Sequence, residues 1–121
     1  TNDINAKHLK GNSGALSIAA STGAGTSPSA VSVTGTDMSG VVAITTGTSP
    51  TVNAVLATIT YNTAFSTAPV VVITPANAAT ASLAAAQAVW VNITTTGFTI
   101  NTNATAVVPS TAYKWNYVVI Q

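Results

Sequence analysis

The sequence predicts an all-β fold: an antiparallel β-sandwich of jelly-roll type with about eight strands over residues 15–121, preceded by a short polar N-terminal arm over residues 1–14. Three observations predict it. Apolar residues recur with period 2 in run after run, which puts them on one face of a pleated strand. Gly, Pro and Asn interrupt these runs at intervals of roughly 8–14 residues, the rhythm of short strands in a sandwich or barrel. The polar positions are filled by Thr, Ser and Asn, which number 22, 11 and 10 of 121 residues, while charged residues make up only 4%. Ordinary soluble domains carry about 25% charged residues. A β-branched hydroxyl suits a pleated, half-exposed surface.

The elements follow in order. Ala15–Ala20 (ALSIAA) is a short alternating run, and Ala30–Thr34 (AVSVT) alternates Val with Ser. Gly40–Thr46 (GVVAITT) follows the Gly35-Thr36-Asp37 turn. Asn53–Tyr61 places Val55, Ala57, Ile59 and Tyr61 on one face and Leu56, Thr58 and Thr60 on the other. Val70–Thr74 (VVVIT) is apolar on both faces, which predicts a central strand covered on both sides. Pro75–Ala86 is Ala-rich without an apolar stripe, so it reads as a long loop with at most a short helix capped by Thr80 or Ser82. Gln87–Thr94 sets Val89, Val91 and Ile93 on one side and Trp90 on the other. Thr95-Thr96-Gly97 turns the chain into Phe98–Asn103, and Ala112–Ile120 aligns Tyr113, Trp115, Tyr117 and Val119. The tetrapeptide GTSP occurs twice, at Gly25–Pro28 and Gly47–Pro50, and reads as loop punctuation before a strand.

Composition excludes several classes. A chain that is 47% hydrophobic with mean hydropathy +0.47 is not a disordered one. No apolar run approaches a membrane-spanning helix. Seven aromatics are too few for the girdles of a transmembrane barrel. A net charge of +1 gives no field to attract nucleic acid or acidic lipid, and little repulsion between copies. The expected partner is therefore the chain itself, with no nucleic acid and no membrane insertion. There is no Cys, hence no disulfide or thiol chemistry. Thr1 as first residue reads as a trimmed chain, so the arm can be the end of something longer.

Catalytic chemistry is scarce. The two carboxylates, Asp3 and Asp37, could pair only if the arm folds back on the turn at residues 36–40; otherwise Asp37 stabilises its own turn. A Ser-His-Asp triad would need His8, which sits in the arm, and no G-x-S-x-G elbow is present. One histidine makes no metal site unless His8 repeats around a threefold axis. Gly11–Gly14 (GNSG) lacks the lysine of a phosphate loop, and the sequons at Asn92 and Asn103 are expected by chance in so Thr-rich a chain. The reading is a non-enzyme without cofactor or resident metal. Candidate ligand contacts are Trp90 and the strand Tyr113, Lys114, Trp115, Asn116 and Tyr117. If Tyr113, Trp115 and Tyr117 face inward they are core; if outward they form a platform for sugar rings, flanked by Lys114 and Asn116.

The Gly35–Asp37 turn, the Ala68–Asn77 run (APVVVITPAN) and the terminal Trp115-Asn116-Tyr117 give the chain, over roughly residues 11–121, its resemblance to a β-domain of tailed-bacteriophage virion proteins, especially the C-terminal ends of tail fibres. That resemblance implies a virion structural role, a homotrimer bound to other virion proteins, and recognition of a bacterial surface glycan at a fibre tip. It also implies a protein made in the host cytoplasm and carried on an extracellular particle, with residues 1–14 as the end of a fibre shaft. A capsid decoration or head-fibre protein with a purely structural role fits the same residues. A polysaccharide hydrolase is disfavoured, because glycoside hydrolysis normally takes a pair of carboxylates flanking one bond and Asp3 and Asp37 are the only two in the chain.

Overall fold

The structure, a computed structural model, describes residues 3, 5–86 and 88–121. Among the described residues eight strands form: β1 (Ser17–Ala20), β2 (Ser29–Gly35), β3 (Ser39–Thr45), β4 (Val55–Thr60), β5 (Val70–Pro75), β6 (Val89–Ile93), β7 (Gly97–Thr102) and β8 (Ala112–Ile120). One short helix, α1 (Ala78–Ala85), stands between β5 and β6, and a single 3-10 turn at Thr22–Ala24 follows β1. Gln87, expected to open the sixth strand, lies outside the described residues.

The strands make two antiparallel four-stranded sheets. The first has the order β1-β4-β7-β6 and the second β2-β3-β8-β5. Their inner faces meet in one core. Strand β8 shows why: its alternation buries Tyr113, Trp115, Tyr117 and Val119 and leaves Lys114, Asn116, Val118 and Ile120 outside. Phe98 of β7 and Tyr117 of β8 join the sheets with ring centroids 5.7 Å apart, and Tyr113 stacks on Trp115 at 5.9 Å. The phenols of β8 find partners on loop backbone: Tyr117 donates to the Thr36 carbonyl at 2.7 Å, and Tyr113 accepts the Val108 N–H at 2.9 Å. The expected two-sheet sandwich of about eight strands is thus what the chain forms; the strand order does not by itself establish jelly-roll winding.

Three local expectations are corrected. Strand β5 is an edge strand, paired only with β8, and Val70 and Val72 are 62% and 51% exposed rather than covered. Leu56, assigned by alternation to the face of Thr58 and Thr60, is fully buried, because the ladder to β7 shifts register between Val55 and Ala57. The Ala-rich segment does form a helix, but its cap is Asn77: the Asn77 Oδ1 accepts the Thr80 N–H at 2.9 Å and the Thr80 hydroxyl at 2.7 Å. Thr80, 1% exposed, then accepts the Lys114 N–H at 2.7 Å and so pins the helix to β8.

The two GTSP copies pair with each other. Thr26 N–H donates to the Thr48 carbonyl at 2.7 Å and Thr48 N–H to that of Thr26 at 3.0 Å. The following Ser27 and Ser49 share a left-handed backbone, at φ 55° and 52°. At Gly47 a Cβ would overlap the Thr26 carbonyl, so the clasp requires glycine there.

Candidate functional site

The outer face of the first sheet is built almost wholly from neutral hydrogen-bonding side chains. Strand β6 turns Val89, Val91 and Ile93 towards the core, so Trp90 and Asn92 point out. The antiparallel register sets Trp90 opposite Asn101, Asn92 opposite Thr99, Thr99 opposite Thr58 and Gly97 opposite Thr60. A shallow groove of about 180 Å³ runs across these rungs, lined by Thr58, Thr60, Asn92, Thr94, Thr96 and Thr99. Gly97 forms its floor. A Cβ at Gly97 would collide with the Ile59 carbonyl, so the strands approach too closely there for any side chain.

The polar groups of the groove differ in what they already do. Thr94 donates to the Gly97 carbonyl at 3.1 Å and meets the Thr96 hydroxyl at 3.2 Å, closing the β6–β7 turn. The Thr99 hydroxyl accepts the Asn101 amide at 2.8 Å and keeps its own hydrogen free to donate. Asn101 is 7% exposed although it lies on the outer face, beside the indole of Trp90 in the ladder. The side chains of Thr58, Thr60 and Asn92 have no hydrogen-bond partner among the described residues. No charged residue belongs to any strand of this sheet.

Among the described residues Trp90 is the exposed large aromatic, at 52%. Its outward phase is as the sequence indicated. The other expected contacts lie elsewhere. Tyr113, Trp115 and Tyr117 are 2%, 1% and 1% exposed and belong to the core, so they make no sugar platform. Lys114 and Asn116 are exposed, but on the outer face of the second sheet, with the whole core between them and Trp90. The six residues therefore do not converge. The outward side chains that share the face of Trp90 are Asn101 opposite it, Asn92 two residues along β6, Thr99 opposite Asn92, and Thr58 and Thr60 on β4 beyond β7. Only the outward phase of each strand was visible for these, because strand pairing, not sequence order, brings them together.

The acid-base residues are structural or isolated. Asp37 is 6% exposed, and its two carboxylate oxygens accept the backbone N–H groups of Asn62 at 2.7 Å and Thr63 at 3.0 Å. Its own N–H donates to Ser13 Oγ at 2.7 Å, so the end of the arm does dock on this turn. Asp3 and His8 are exposed. No cluster of three or more His, Cys, Asp or Glu occurs among the described residues, so a single chain offers His8 no co-ligands. Two phenols nearby are perturbed: burial, with Asp37 adding to it, pushes Tyr61 and Tyr117 up to about 12. Tyr61 Oη is buried with no hydrogen-bond partner.

No family model, no curated protein and no solved structure matches this chain.

Proposed function

We propose that this chain is a non-enzymatic structural domain of a tailed-bacteriophage virion, a homotrimeric tail-fibre tip that recognises a host cell-surface glycan. The observation that carries the reading is the outer face of the first sheet, where one exposed tryptophan stands beside unpartnered hydroxyl and amide groups on a rigid, uncharged surface. Sugars are bound by stacking of their CH faces on aromatic rings and by hydrogen bonds to neutral polar groups. The jelly-roll description belongs to the same reading. It is supported by the wrapping of the chain: only β2–β3 and β6–β7 are hairpins within a sheet, and the other five connections cross between sheets.

The test is binding of the fluorescently labelled domain to bacterial cells, before and after periodate oxidation of their surface sugars. The reading requires binding that periodate abolishes and that Trp90→Ala weakens at least tenfold. Binding indifferent to periodate contradicts glycan recognition.

A second reading, a capsid decoration or head-fibre protein, is favoured by a different observation. Val70 and Val72 of β5 and Val118 and Ile120 of β8 form an exposed apolar strip on the outer face of the second sheet, with Val70 opposite Ile120 and Val72 opposite Val118. Such a strip serves assembly. In the fibre reading it is the contact between subunits.

A further inference from the structure

We infer that the groove over Gly97 is a subsite for one uncharged sugar ring, with Trp90 stacking on a ring further along the same glycan, and that the site discriminates against acidic glycans. This rests on the glycan reading above and assigns its place and its ligand class. Thr58, Thr60 and Asn92 supply two hydroxyls and a carboxamide that the fold leaves unused, and Thr99 supplies a free hydroxyl hydrogen. Hydroxyls donate and accept, and a carboxamide does both at separate atoms, which matches the alternating donors and acceptors of vicinal sugar hydroxyls. All four stand on paired strands rather than loops, so little ordering is lost on binding.

The spacing sets the length of the ligand. Asn92 and Trp90 are two residues apart on one strand face, about 6.7 Å. Gly97 stands four residues along β7 from Asn101, the ladder partner of Trp90, or about 13 Å. A ring over Gly97 and a ring over the indole are therefore separated by one over the Asn92–Thr99 rung, and a trisaccharide is the smallest ligand that uses both. The charge preference follows from what is absent from the sheet. With no Lys or Arg on β1, β4, β6 or β7, a carboxylate in the groove would lose hydration without gaining an ion pair. Neutral hexose or N-acetylhexosamine chains carry no such penalty.

The experiment is a nuclear magnetic resonance titration of the whole isotopically labelled chain with neutral tetrasaccharides (cellotetraose, maltotetraose, chitotetraose) and acidic ones (tetragalacturonate, oligosialate). At least one neutral probe should shift the Asn92 side-chain amide, the Trp90 indole N–H and the Gly97 amide together. The Thr58→Val/Thr60→Val double variant keeps shape and strand propensity while removing both hydroxyls. It should bind that probe about fivefold to tenfold more weakly with its melting midpoint preserved. Binding that shifts Trp90 but is unchanged in the double variant overturns the groove subsite and leaves glycan recognition standing. Acidic probes binding as tightly as neutral ones overturn the charge preference. Shifts of these resonances on raising protein concentration alone assign the face to a second copy and overturn the inference. Failure of every probe overturns it too, and loss of periodate-sensitive cell binding as well would remove the wider reading.

Discussion

The Asp37 carboxylate, in the β2–β3 turn of the second sheet, accepts the backbone N–H of Asn62, just past β4 of the first, at 2.7 Å. The bond ties the two sheets at one end of the sandwich. The adjacent Thr63 N–H takes the other oxygen at 3.0 Å. A buried acceptor of two N–H groups cannot be replaced by an amide without turning one NH₂ towards a donor. Asp37→Asn should therefore destabilise the fold by about 1.5–3 kcal/mol. Urea unfolding reads this as a lowered midpoint at unchanged slope. The same variant should retain cell binding, because Asp37 does not line the groove of the first sheet.

Thr80 fastens α1 by donating to Asn77 and accepting from Lys114 N–H. Thr80→Val preserves volume, leaves the Lys114 N–H unpaired in a nearly inaccessible site, and takes from Asn77 Oδ1 one of its two donors while the Thr80 N–H remains. It should cost about 1–3 kcal/mol, measured by chemical denaturation.

Alkali should unfold the domain through its phenols. Tyr61 and Tyr117 ionise near 12 in the folded chain, chiefly because burial disfavours the phenolate, against 10.0 when exposed. Between these values the unfolded chain has lost protons that the folded chain keeps, so stability is intact below pH 10 and falls as pH rises towards 12. Ultraviolet titration should show these two tyrosines ionising together with loss of near-ultraviolet circular dichroism.

The two tryptophans should separate stability from binding. Trp115→Ala removes a 1%-exposed ring from the core and should cost about 3–5 kcal/mol. Trp90→Ala removes a 52%-exposed ring and should change stability by less than about 1 kcal/mol. Only the second should weaken glycan binding with the fold intact.

The apolar strip on the second sheet is tested by charge. Val72→Lys with Val118→Lys puts two like charges directly opposite each other in the β5–β8 ladder, at positions 51% and 44% exposed. Sedimentation should show the assembled wild type converted to monomer, while the folded circular dichroism spectrum persists.

Much of this fold was legible because several strands alternate strictly. In β8 aromatic and polar residues alternate without a break from Tyr113 to Tyr117, and burial keeps that phase over all nine residues of the strand. Strand β5 was misread for the opposite reason: an apolar run cannot say whether its second face is covered by the same chain or by nothing. Leu56 went astray because a register shift breaks the period on which its assignment rested. The outward phase of Trp90 was readable, but its neighbours were not. Thr58 and Asn92 meet across β7 only through register, which depends on long-range pairing. The self-pairing of the GTSP repeats is hidden in the same way, since each copy alone is an ordinary turn.

Under the proposed function this domain sits at the host-contacting end of a virion. Immunogold labelling of intact particles with an antibody to the domain tests it most directly. Gold clustered at the distal tips of tail fibres is the predicted result. Gold over the head would assign the chain to capsid decoration, and particles free of gold would contradict a virion role altogether.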